Sequence, residues 1–205
     1  MRLIRSLAFA ASLSFIVGSS VQAENWTRFR GANGQGVSSE TDLPVTWSAT
    51  ENITWKTPLP GTGWSSPVVW GNRVFVTTAT ENGVSCRVIS IDRDSGKVLW
   101  NTEVHRQSPG PMREQNSYAT PTPVTDGQRV CAVFHDGTIV AVDFAGKLIW
   151  KNSDVDFHSL HGLGSSPILV DDLIVMPFDG SSREEKTIGW KVPWEAAQVV
   201  ALDSA

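Results

Sequence analysis

The chain is 205 residues long and 40% hydrophobic, with 17 basic against 21 acidic side chains and a net charge of −4. Such a surface carries no electrostatic footprint for nucleic acid or anionic lipid, which excludes both as expected partners. Nine Trp stand against a single Tyr, a balance that arises when a repeated unit needs one large flat side chain per copy.

Residues 1–23 read as a secretory signal peptide. Arg2 and Arg5 form a positive start, Leu7 to Gly18 an apolar stretch, and Val21-Gln22-Ala23 a small-residue cleavage site. The stretch is too short, and wrongly flanked, for a spanning helix. Cleavage after Ala23 leaves a mature chain that begins at Glu24, with 15 basic against 21 acidic residues. No Cys follows the apolar stretch, so no lipid anchor is expected, and the destination is periplasmic or secreted. Export permits Cys86 and Cys131 to pair. Both lie inside apolar runs, VSCRVISI and RVCAVF, where two buried thiols are the simpler reading.

Past residue 40 only β-structure is expected. Helix signals are nearly absent, and the apolar runs are short, β-branched and bounded by Gly, Asn, Asp and Pro. NITWKT (52–57) reads as the outer strand of a sheet whose other strands lie elsewhere. Then come PVVWGNRVFVTT, SCRVISID and KVLWNTEV, followed by QRVCAVF, TIVAVD and KLIWKN, and last PILVDDLIVMPF. Gly71-Asn72 and Asp126-Gly127 supply the positive φ that tight hairpins need.

These runs repeat. SSPVVWGNRVF (65–75), PTPVTDGQRVC (121–131) and SSPILVDDLIV (165–175) each place a Pro seven residues before an apolar strand residue: Val74, Val130 and Ile174. SIDRDSGKVLW (90–100) returns as AVDFAGKLIW (141–150) and begins again as ALDSA (201–205). Trp55, Trp100 and Trp150 stand 45 and 50 residues apart. Four antiparallel strands at a period of about 40–50 residues make a β-propeller blade. The blade units run from about 64 to 102, 117 to 152 and 164 to 205.

The repeated phrase, small-x-Asp-x-x-Ser/Thr-Gly-Lys-x-x-Trp, resembles the tryptophan-docking repeat of the PQQ-like, quinoprotein-type β-propeller family. Ser90, Asp92, Ser95, Gly96, Lys97 and Trp100 match it in full. Ala141, Asp143, Gly146, Lys147 and Trp150 match with the hydroxyl position missing, and Ala201, Asp203 and Ser204 match as far as they go. WTRFRGANGQGVS (26–38) and TPTPVTDG (120–127) are similar to an exported bacterial subgroup of that family. The resemblance implies that each Trp packs flat between neighbouring blades, a burial worth about 2–3 kcal/mol per ring. It also implies closure with roughly seven or eight blades. On that count about 2.5–3 blades are present, a truncated chain is expected, and an open strand edge could associate with other chains.

Function is sought on the rim that carries the long loops, because rigid scaffolds place binding residues there. The links 103–120 and 152–164 and the loops 78–84, 135–137 and 178–198 share that side. They hold every histidine of the chain (His105, His135, His158 and His161), together with Asp136, Asp154 and Asp156. That set invites a metal reading, but its spacing puts no group on one face, and ordinary rim residues are preferred. Arg113, Glu114 and Asn116 either bind a polar ligand or brace the rim. Trp190 and Trp194 either anchor a partner or fold back over the next blade.

The resemblance offers two functions. A PQQ-dependent dehydrogenase of this family shows adjacent cysteines over the quinone and a carboxylate cluster for calcium, and neither stands in this sequence. No catalytic, cofactor or metal residue is therefore assigned, and PQQ enters only with the alternative that the chain is a fragment of such an enzyme. The preferred function is a non-catalytic scaffold that binds a protein or other ligand through the rim. The family's exported members include the lipoprotein that assists outer-membrane β-barrel assembly.

Overall fold

A computed structural model describes residues 24–155, 157–159, 161–180 and 197–204. The expected leader (1–23), Asp156, Trp190 and Trp194 lie outside the described residues. Among those described, the regular structure is β throughout, apart from one 3₁₀ turn at Glu81–Gly83. The first sheet joins β1 (Val68–Trp70), β2 (Arg73–Thr80), β3 (Ser85–Asp92) and β4 (Val98–Arg106) in chain order. The second joins β5 (Val124–Thr125), β6 (Arg129–Val133), β7 (Ile139–Asp143) and β8 (Leu148–Asn152) in the same way. In the third, β10 (Leu173–Phe178) lies between β9 (Ile168–Val170) and β11 (Gln198–Asp203). All pairings are antiparallel. Successive innermost strands approach one another, β1 to β5 and β5 to β9. These are consecutive blades of a β-propeller.

The Pro-led phrases fix an identical hairpin register. Val74 pairs with Val69, Val130 with Thr125 and Ile174 with Leu169, each partner standing two residues after its Pro. Burial explains the different texture of the strands. The middle strands β6 and β7 are apolar on both faces because each face meets a neighbouring blade. Val130, Ala132, Val140 and Val142 pack against Val68, Phe75, Cys86 and Val88 of the first blade. Cys131, Val133, Ile139 and Ala141 pack against Ile174, Met176 and Phe178 of the third. Outer strands β4 and β8 lie at the rim, so Leu99 and Ile149 remain exposed. Cys86 and Cys131 are free and buried, one in each interblade core.

The repeated turn closes on its own aspartate. Asp92 Oδ1 accepts from the Ser95 amide at 2.8 Å and the Ser95 hydroxyl at 2.6 Å. Where the second copy lacks the hydroxyl, Asp143 Oδ1 accepts instead from the Ala145 and Lys147 amides, both at 2.9 Å. Gly96 and Gly146 take φ 71° and 86°, the left-handed region that a side chain disfavours. Each also lies under an indole: an added Cβ would come 2.6 Å from Trp55 at Gly96 and 2.6 Å from Trp100 at Gly146. The indole N–H then donates to a carbonyl of that same turn. Trp55 donates to Arg93 O at 2.7 Å, Trp100 to Phe144 O at 2.9 Å and Trp150 to Ser204 O at 3.3 Å.

A hydroxyl two residues on repeats the contact, from Thr57 to Gly96 O and from Thr102 to Gly146 O. Within its own blade, Trp100 stands opposite Ser90 and Trp150 opposite Ala141, each beside a register irregularity. The small residue of the motif makes room there for the ring. Trp100 and Trp150 are half-buried, since the outer strand leaves one side of each indole at the rim. Residues 52–57 form no ladder among the described residues, although Trp55 and Thr57 dock on the first blade as Trp100 and Thr102 dock on the second.

Candidate functional site

The long-loop rim is built where β4 ends and β6 turns into β7. His105, near the end of β4, meets Asp136 of the second blade's turn, Nε2 to Oδ2 at 2.7 Å. Thr138 Oγ1 lies 3.2 Å from the same nitrogen and donates to Ser153 Oγ at 3.1 Å. A relay from base to nucleophile needs the carboxylate and the hydroxyl on opposite ring nitrogens. Both sit on Nε2 here, and His105 Nδ1 is buried without a hydrogen-bond partner among the described residues. The cluster is a brace between blades. Burial pushes the Asp136 carboxyl up, but the bonds from His105 and from the Thr138 amide prevail and hold it below its ordinary range.

Gln107 tightens the same junction. It is buried, donates from Nε2 to Gly83 O at 2.7 Å and accepts from the Asp136 amide at 3.2 Å. One side chain thus ties the first blade's loop to the second blade's turn. Sequence reasoning passed over it, because an isolated Gln in a polar link carries no pattern. Tyr118 was missed likewise. Its ring fills the space where Gly83 has no Cβ, its hydroxyl donates to Gly110 O at 3.1 Å, and its edge meets His135 at 5.0 Å between centroids.

The sequence-chosen residues divide. His135 is 6% exposed, and its Nδ1 has no hydrogen-bond partner among the described residues. Burial pushes its imidazole down from the ordinary value, with Asp136 opposing and His158 assisting, so it is neutral at pH 7. His135 and His158 line one cleft of about 380 Å³ with Arg106, Gln107, Asp136 and Phe157. Asn116 braces the two long links, donating to His161 O at 2.6 Å, while the rest of His161 is exposed. Arg113 and Glu114 are exposed and take no part in the junction. Across the 107–118 link a second cleft of about 600 Å³ is lined by Thr80, Glu81, Asn82, Met112, Asn116 and Tyr118. Among the described residues no three His, Cys, Asp or Glu side chains converge as metal ligands would. What the rim presents is a fixed array of amides, hydroxyls, neutral imidazole and aromatic surface, which suits recognition of polar and apolar groups together.

The family profile described as outer membrane protein assembly factor BamB matches residues 27–192. Among solved structures, BamB from Moraxella catarrhalis is similar over 74% of this chain and 40% of its own, at 17% identity and a TM-score of 0.50. A europium-containing methanol dehydrogenase is similar over 75% of this chain and 25% of its own, at 18% identity and 0.48. For a quinohemoprotein alcohol dehydrogenase from Comamonas testosteroni the figures are 71%, 20%, 15% and 0.47. Comparison with curated proteins finds no match. The chain spans less than half the length of each of these three structures.

Proposed function

This chain belongs to the outer membrane protein assembly factor BamB family, and on that premise we propose that it is a non-catalytic, exported scaffold that holds a protein partner on its long-loop rim. One observation carries the reading. Polar side chains tie the rim's loops to one another, Gln107 to Gly83 O and the Asp136 amide, His105 to the Asp136 carboxylate, and Asn116 to His161 O. The loops are therefore held in one shape before anything binds, which lowers the ordering cost of association. Between them lie two clefts with Met112, Tyr118 and Phe157 in their walls, apolar anchors of the kind that dominate interfaces. The signal peptide delivers this surface to the periplasm.

The test is site-specific photo-crosslinking in an exporting host. A photoreactive residue at Met112 or Ser159 should give a discrete protein adduct, Lys97 on the opposite turn should give none, and Gln107→Ala should abolish the rim adducts. Equal labelling from Lys97 defeats the reading. So does stoichiometric retention of quinone by the protein after addition of quinone and calcium, which would favour a dehydrogenase.

A further inference from the structure

The segment 25–36 lies outside the blades, and the rim has no use for it. It is nevertheless bound to the innermost strands. Trp26 forms a two-way bridge with Val69, at 2.9 and 2.8 Å. The Asn25 side chain accepts from the Gly71 amide at 2.8 Å, and Thr27 O accepts from the Thr125 amide at 3.0 Å. The chain thus passes from β1 to β5, and Arg28, Phe29 and Arg30 then line a cleft of about 300 Å³ with Ser166 and Ile168 beside β9. Trp26 covers Gly31, whose added Cβ would lie 2.8 Å from the ring. The amides of Gly31, Gly34 and Gly36 close successive turns onto Arg28 O, Gly31 O and Arg30 O.

Two features set this loop apart. Arg30 holds φ 63° in a loop that uses Gly at φ 78°, 73° and 75° for its other left-handed positions. An arginine there holds a strained backbone that glycine would not. The second feature is charge. Arg87, Arg93, Arg106 and Arg129 each pair with a carboxylate. Among the described residues Arg28, Arg30, Arg73 and Arg113 pair with none, and of these four Arg28 and Arg30 stand together at one cleft. Arg28 Nε donates only to Gly31 O, at a long 3.3 Å, and the Arg30 guanidinium lies 5.3 Å from the Phe29 ring centre. Two forks of donors therefore border one cleft, fixed by a loop that is itself anchored to two blades. Guanidinium forks match carboxylate and phosphate oxygens in pairs.

We propose that Arg28 and Arg30, presented by the glycine loop against Ser166, form an anion site for a small molecule bearing a carboxylate or a phosphate. The volume admits a metabolite-sized ligand. The site is distinct from the rim and stands whether or not a protein binds there.

The test uses the mature chain at low ionic strength, titrated separately with inorganic phosphate and with succinate while the arginine side-chain Nε–H signals are followed by NMR. Saturable shifts of two such signals are expected, and the tighter of the two anions identifies the group recognised. Arg28→Gln and Arg30→Gln should each weaken binding about ten-fold or more, the size of a lost charge-assisted hydrogen bond. Arg113→Gln, an exposed arginine elsewhere, should not. Arg30→Gly gives a signature that a structural role would not: affinity falls while the unfolding midpoint holds or rises, because the strain is relieved. No saturable shift with either anion overturns the proposal, as does equal weakening by Arg113→Gln or a lowered unfolding midpoint in Arg30→Gly.

Discussion

Replacing Gly146 by Ala perturbs the contact between blades at a single atom. The residue sits at φ 86°, and an added Cβ would lie 2.6 Å from Trp100 Cδ2 and 3.0 Å from the Thr102 hydroxyl. The left-handed backbone alone costs Ala about 1–2 kcal/mol. Displacing the indole loosens its bond to Phe144 O, worth about 1 kcal/mol. Overpacking a formed contact adds about 1–3 kcal/mol. Together these give about 3–6 kcal/mol, a large share of the stability of any domain. Gly71 provides the control, since it is also left-handed, at φ 56°, with nothing within 4 Å of an added Cβ. Gly71→Ala should therefore show the backbone cost alone. Urea unfolding followed by tryptophan fluorescence measures both, and Gly146→Ala should lose about twice as much stability as Gly71→Ala or more. Equal losses would show that the indole does not rest on the turn, and the account of blade docking would fail.

Ser90→Ala should raise stability by about 1 kcal/mol, because Ser90 Oγ is buried without a hydrogen-bond partner among the described residues and Ala141 and Ala201 hold the corresponding places; a lower unfolding midpoint would refute this. Stability should fall in two stages on acidification. His135, pushed down by burial, leaves the unfolded state to take up its proton first, so stability drops as pH falls below about 6.5 towards the folded value. Asp136 is held low, so its contribution is full above about pH 3.9 and is lost as pH falls through its folded value. Urea midpoints across pH for His135→Gln and Asp136→Asn should each lack one stage, and unchanged profiles would refute the assignment. Burial pushes the Cys131 thiol up to about 12 and the Cys86 thiol higher still. Neither should react with a disulfide reagent at pH 8 until urea is added, and rapid labelling of the folded chain would contradict the packing.

The blade frame was legible because its determinants are local. Asp92 bonds Ser95, three residues away, and Gly96 supplies the left-handed turn, so a short phrase states the whole device. The Pro-led hairpins are local in the same sense. The rim was only half legible. The length of the loops marked the correct side, and the histidines drew notice by residue type. What assembles the rim, however, is Gln107 meeting Gly83 and Asp136, or Asn116 reaching the backbone of His161, across 24 to 45 residues. No periodicity encodes such pairs, because each occurs once. Arg28 and Arg30 belong to a phrase that carries the family resemblance, yet their meeting with Ser166 at one cleft is a property of three-dimensional neighbours alone.

The indole contacts all point the same way along the chain. Trp55 rests on the first blade, Trp100 on the second and Trp150 on the third. The first and second blades therefore each receive a ring through the Asp-Gly turn and offer one from the outer strand, like a plug and a socket on the same part. Because every junction has the same form, excising a whole blade would leave a plug that still fits the next socket. Trp55 would meet Gly146 as it now meets Gly96. The array can change its number of blades by duplication or loss without inventing a new junction. A half-blade deletion has no such route, since it separates a socket from its plug.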